Sequence, residues 1–160
     1  MKRFLFLVIP FIFLSCTQLE MDEFQDKSSI TQIDKIDNHF NSLYEARHWV
    51  YINVDYKVNT PYQWQSPKQT ESRKSGMCAD ATILLMAYAL DMGYKNVSML
   101  GIRENDGVLH ALLKVDGIVY EPQVMITRTK PYTLIKEYSY KEAIDIVYYD
   151  YKNRSVIQYE

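Results

Sequence analysis

The sequence predicts an α+β fold, with a central cysteine-bearing helix packed on an antiparallel sheet. Three observations predict it. The run ATILLMAYALDM, residues 81–92, is apolar on every face, which suits a helix surrounded by other elements. From residue 97 the periodicity becomes that of strands, and Asp116-Gly117 is a two-residue hairpin turn between two of them. Helical patterns come first and strand patterns follow, without the strict alternation that marks a parallel α/β sheet.

The elements can be justified in chain order. Lys2 and Arg3 precede an apolar stretch over 4–14 interrupted at Pro10, too short for a permanent membrane anchor and suited to a secretory signal. It ends in Phe13-Leu14-Ser15-Cys16, which resembles the lipobox at which bacterial lipoproteins are cleaved and lipidated on cysteine, although Phe13 is bulky for its place. The expected organisation is a signal peptide over 1–15, a lipidated polar tether over 16–29, and one domain over 30–160. The location implied is the cell envelope, on the periplasmic or surface face, with Cys16 consumed by lipid and the membrane reached through it.

Within the domain, Ile33, Ile36, Phe40, Leu43, Val50 and Val54 recur at helical spacing, so a helix is expected over most of 30–55. Asn59-Thr60-Pro61 ends it. Ser66-Pro67-Lys68-Gln69 then reads as a short helix start, with Ser66 as N-cap, Pro67 at the first position and Gln69 closing a capping box. The central helix opens at Cys78 or Ala79 and closes at Gly93. Strands are expected over VSMLGI, VLHALLKV and IVYEPQ. Ser139-Tyr140-Lys141-Glu142 could cap a short helix, after which IDIVYYDYK and SVIQY read as Tyr-rich strands extending the sheet.

Composition narrows the function. Without the leader the chain carries 16 basic against 20 acidic residues and no basic patch, which excludes nucleic acid as a partner. The domain is large enough for one proper core and is expected to be a monomer without cofactor. His39 and His48 fall on the first helix in surface or packing roles, and no metal-ligand spacing joins them to His110.

The chemistry centres on Cys78. Exported chains use cysteines in pairs, and once Cys16 carries lipid Cys78 stands alone, as a thiol kept for reactivity would. At the first position of a helix a thiolate meets unpaired backbone N–H groups and the positive end of the dipole, which stabilise it. If Asp116-Gly117 is the turn, Val115 pairs with Ile118, Leu112 faces Glu121 and His110 faces Gln123. His110 and Glu121 then share a face as a diagonal pair. A one-residue slip would separate them. Each taken alone has a plainer reading: a buried apolar cysteine, a core histidine, a solvated glutamate.

The segment WQSPKQTESRKSGMCADATILLMAYALDMGY, followed by HALLKVDGIVYEP, resembles the transglutaminase-like superfamily, and its bacterial transglutaminase-like cysteine peptidases most of all. The resemblance covers about residues 40–125. It implies a papain-like core in which Cys78 is the nucleophile, His110 the base and Glu121 the orienting acid. Trp64 and Gln65 match a segment lying against the active site, as substrate-site or oxyanion residues. Two departures stand out. Asp is usual where Glu121 stands, which makes Gln123 an alternative orienter. Met77 and Ala79 replace the acidic neighbours that bind calcium in some relatives, so no metal site is expected, and Asp80 is left to bond within the helix's first turn.

Two functions follow. One is an exported, lipid-anchored thiol enzyme that cleaves or transfers amide bonds of a protein or peptide through a thioester, with hydrolysis favoured over transamidation. The other is an inactive binding or structural lipoprotein that keeps the fold, its Tyr-rich C-terminal region serving as an interaction surface.

Overall fold

The computed structural model describes residues 36–59 and 63–157, with side chains described to residue 149. The chain is α+β, as expected. Among the described residues, four helices, α1 (Leu43–Asn53), α2 (Pro67–Arg73), α3 (Cys78–Asp91) and α4 (Tyr140–Ile157), accompany a four-stranded antiparallel sheet in the order β5-β4-β3-β6. Its strands are β3 (Val97–Arg103), β4 (Leu109–Val115), β5 (Ile118–Tyr120) and β6 (Thr133–Ser139). A two-residue parallel pair, β1 (Asp55–Tyr56) with β2 (Ser75–Gly76), ties the chain after α1 to the residues just ahead of Cys78.

Helix α3 is the centre of the molecule. Every residue from Cys78 to Ala89 is buried, because its all-apolar surface meets α1 and α2 on one side and β3 and β4 on another. The Tyr88 hydroxyl lies in that core and donates to the buried Glu71 of α2 at 2.8 Å, while the Thr82 hydroxyl donates to Cys78 O at 2.7 Å. Met99, Ala111, Leu113 and Val115 present the sheet's inner face to the same core. Leu100, Ile102 and Leu112 form a second cluster with Val119 and Tyr132.

The short helix α2 forms as its sequence dictates. Ser66 Oγ accepts from Gln69 N at 3.2 Å and Gln69 Oε1 accepts from Ser66 N at 3.0 Å, a complete capping box with Pro67 at the first position. The hairpin register is also as derived: Val115 pairs with Ile118, Lys114 with Val119 and Leu113 with Tyr120. The ladder stops there, short of the strand expected through Gln123, because Pro122 has no N–H to continue it.

Two expectations are corrected. The first helix begins at Leu43, far inside the 30–55 expected, and the part of that span before residue 36 lies outside the described residues. Ser42 is extended and caps α1 by accepting from Glu45 N at 3.2 Å, while Glu71 accepts from Asp37 N at 2.6 Å and Asn38 N at 2.8 Å. Those amides are turned toward a carboxylate and away from helical partners. Ile36 and Phe40 still pack on the core, which is why their spacing imitated a helix, and His39 therefore lies ahead of α1.

The second correction concerns the C-terminal region, which through Ile157 is the helix α4 and not Tyr-rich strands; the end of the expected strand SVIQY lies outside the described residues. Ala143, Ile144 and Val147 are buried at helical spacing, and a reciprocal pair between Ser139 and Glu142 starts the helix. The strand that completes the sheet is β6, exposed along most of its length, so no alternation of burial marked it in the sequence.

Candidate active site

Cys78 opens α3 behind an extended Met77, and the helix start is bolted in place by Asp80. Asp80 accepts from Met77 N at 2.8 Å, Gln65 N at 2.7 Å and Asn59 Nδ2 at 2.8 Å. The first turn of α3 is thus fixed both to itself and to the Trp64-Gln65 segment. Gly76 permits this closeness: a Cβ there would lie 2.7 Å from Asp80 Cβ. The N–H groups of the first turn have no intrahelical partners, so they face whatever approaches the sulfur.

His110, near the start of β4, reaches this helix tip from the sheet. Its Nε2 pairs with Glu121 Oε2 at 2.8 Å, and the ring shares one cavity wall with Cys78, whose side chain interacts with it. Burial lowers the basicity of His110, but hydrogen bonds with Cys78 and Glu121 outweigh it and push the imidazole up to about 9. Glu121 moves the other way. Its burial favours the neutral acid, yet the bonds from Arg128 and His110 hold the carboxyl below the usual range.

Sequence reasoning missed Arg128. Its side chain is almost fully buried; Nη1 donates to Glu121 Oε1, and Nη2 donates to Glu104 Oε2 at 2.6 Å. The guanidinium fork therefore holds the acid that holds the histidine. Burial costs its charge, but the two carboxylates raise Arg128 further above the already high value of a guanidinium. Nothing in VMITRTKPY distinguishes Arg128 from the neighbouring Lys130, because its partners Glu121 and Glu104 lie outside that segment.

Two depressions flank His110. A cavity of about 220 Å³ is lined by Cys78, His110, Trp64, Met99, Ile135 and Tyr138, among others. A shallower one of about 660 Å³ is lined by His110, Glu121, Glu104, Asp106, Arg128 and Lys130. Only the first includes the thiol.

Of the residues expected in the site, Cys78, His110 and Glu121 come together, and Trp64 forms a cavity wall edge-on to Tyr138 at 5.6 Å. Gln65 does not serve as an oxyanion donor. Its carboxamide is buried, with Nε2 shared among Asn59 Oδ1, Ser75 O and Asp80 Oδ2, all at 3.1 Å, which leaves no hydrogen for a substrate. Gln123 is likewise not the orienter. Its amide reaches the carbonyls of Val54 and Gly76 at 3.5 and 3.4 Å, and Glu121 occupies His110 Nε2. His39 bonds Asp91 at 2.7 Å and His48 is exposed beside Tyr44, neither near the cleft. Among the described residues, no group of three His, Cys, Asp or Glu side chains is placed to hold a metal ion, and no helix is long and apolar enough to cross a membrane. Cys16 and its neighbours lie outside the described residues.

No curated protein matches this chain. A putative cysteine protease from Cytophaga hutchinsonii, solved by crystallography, is similar at 20% identity with a TM-score of 0.49. The match covers 72% of this chain and 42% of that protein, so this chain spans less than half of it. The family described as the transglutaminase-like domain matches residues 20–154. With most of its length accounted for in this way, the chain belongs to the transglutaminase-like domain family.

Proposed function

We propose that this protein is an exported thiol hydrolase that cleaves amide bonds through a Cys78–His110–Glu121 triad. The single observation that supports it is the position of His110, between the thiol at the tip of α3 and the carboxylate of Glu121. An imidazole protonated at neutral pH carries the proton that the leaving amine needs. Sulfur attacks the substrate carbonyl, and first-turn N–H groups of α3 stabilise the oxyanion. The C–N bond then breaks, the leaving amine takes the proton from His110, and a thioester remains on Cys78. Water attacks that thioester, gives a proton to His110 and expels the Cys78 thiolate as a carboxylic acid departs, which restores the starting pair. Glu121 holds the imidazole in the required tautomer throughout.

Water is preferred over an amine as acceptor because the wide, charged depression beside His110 keeps that side of the ring open to solvent. The substrate is a protein or peptide of the cell envelope, and the enzyme is tethered there by lipid on Cys16. The chemistry is tested by labelling with a thiol-directed peptide electrophile. The wild type should be modified at Cys78, Cys78→Ser should lose all modification there, and His110→Ala should lose most of it. Equal labelling of wild type and His110→Ala would favour an inactive protein that keeps the fold. The tether is tested separately, by metabolic incorporation of a palmitate analogue that Cys16→Ser abolishes.

A further inference from the structure

We infer that the cavity beside Cys78 is the subsite for one compact apolar side chain, of leucine to phenylalanine size, on the acyl side of the scissile amide. The inference rests on the acyl-enzyme reading above and names its substrate class. The two depressions around His110 differ in character. The larger is lined by Glu104, Asp106, Glu121, Arg128 and Lys130, whereas the smaller has no formally charged side chain in its wall apart from the catalytic pair. Only the smaller reaches the sulfur, and the acyl group is the half of the substrate that stays on sulfur after the amine leaves. Apolar selectivity therefore belongs to the acyl half.

The size is that of one side chain. At about 220 Å³ the cavity is below the roughly 300 Å³ at which pockets begin to enclose whole small molecules. It exceeds the roughly 150 Å³ apolar hole that admits a benzene ring. Its shape comes from two local features of the sheet. Gly101 pairs with Lys136 and Ile102 with Leu134, so Ile135 is an extra residue in β6, and this bulge turns it to the cavity's rim. Gly101 lets the Tyr138 ring lie close across β3: a Cβ there would stand 3.1 Å from Tyr138 Cε2. Ile135 and Leu109, which line this cavity, are more than half exposed, so they offer an apolar rim that a substrate side chain can cover.

The test uses the full chain and peptide vinyl sulfones that share one warhead and differ only in one residue: Leu, Phe, Asp, Lys or Gly. Rates at Cys78 are read by mass spectrometry of the peptide that contains it and divided by the rate with iodoacetamide, which needs no subsite. The Leu and Phe probes should react about tenfold to a hundredfold faster than the other three, as burial of one apolar side chain implies. Ile135→Asp at the exposed rim and Gly101→Val at the floor should both collapse that preference, with the Ile135 variant decisive if the Gly101 variant misfolds. Equal relative rates across the series, or faster reaction of Asp or Lys probes, would overturn the inference. Failure of the acyl-enzyme reading looks different: the Leu and Phe preference persists while removal of His110 leaves the iodoacetamide rate unaltered.

Discussion

Arg128 grips the carboxylate of Glu121 by one oxygen while His110 holds the other. The same guanidinium reaches Glu104 with its second nitrogen, so four side chains from separate segments form one chain of alternating charge: Glu104, Arg128, Glu121, His110. The far end of that chain is the thiol of Cys78. Glutamate has a long, flexible side chain, and the fork of Arg128 restricts the freedom that Glu121 would otherwise have.

Removing the fork should therefore weaken both fold and chemistry. Arg128→Met leaves two partly buried carboxylates without their cation, a loss of about 3 kcal/mol by the usual cost of breaking a buried pair. Denaturant unfolding measures it. Labelling of Cys78 by a peptide electrophile should slow about tenfold, the scale of losing an outer partner of a functional histidine. Arg128→Lys keeps the charge but cannot bridge both acids, and should recover stability better than labelling rate.

Glu121→Gln should damage the site more than any change behind it. The carboxylate raises His110, so its amide replacement should lower the imidazole and shift the alkaline limb of the labelling profile below the wild-type position near 9. An amide can also present the wrong group to Nε2 and favour the wrong tautomer, which costs a hundredfold or more in triads of this kind. A profile with an unshifted limb would show that Glu121 does not set the basicity of His110.

Much of this site was legible before the structure, and the reason is local. A two-residue turn at Asp116-Gly117 sets the register of β4 and β5, and that register puts His110 and Glu121 on one face. The capping box at Ser66 and the all-apolar α3 are likewise written in adjacent residues. What was not legible depends on distant partners. Asp37 and Asn38 read as helix until Glu71, over thirty residues on, takes their amides. The tyrosines of 148–151 suggested strands by propensity, yet Ala143, Ile144 and Val147 set a helical period against the core. Arg128 acquires its meaning only when the loop folds it under Glu121.

His110 also links pH to stability. Its folded value of about 9 lies above the ordinary 6.5, so the folded state binds the proton more tightly than the unfolded chain. The contribution is complete below about 6.5 and disappears as pH rises through about 9, with a magnitude on the order of 2–3 kcal/mol. The unfolding free energy should thus fall between pH 6.5 and 9.5, and His110→Ala should flatten that fall. Glu121, held below its ordinary range, acts at the other end: its contribution is present above about 4.5 and is lost under acid.

The seat of Cys78 can be tested without replacing Cys78, His110 or Glu121. Gly76→Ala places a methyl group where Asp80 Cβ and Oδ2 already stand, at 2.7 and 2.9 Å, so one of the two must move. Asp80 is the common acceptor for Met77, Gln65 and Asn59, and its displacement would loosen the first turn of α3 together with the chain that carries Trp64. A clash against a buried, hydrogen-bonded side chain costs about 1–3 kcal/mol, readable as an earlier denaturant midpoint. The effect on Cys78 should exceed what that destabilisation explains. Under conditions where the variant remains folded, its thiol should lose reactivity toward the peptide electrophile because the sulfur no longer meets His110 at a fixed distance. Asp80→Asn provides the matched control, since it fills the same space but exchanges a carboxylate for an amide with only one good acceptor. Both variants should lose labelling while keeping the far-ultraviolet circular dichroism of the wild type; retention of full labelling in both would show that the turn positions Cys78 without help from Asp80.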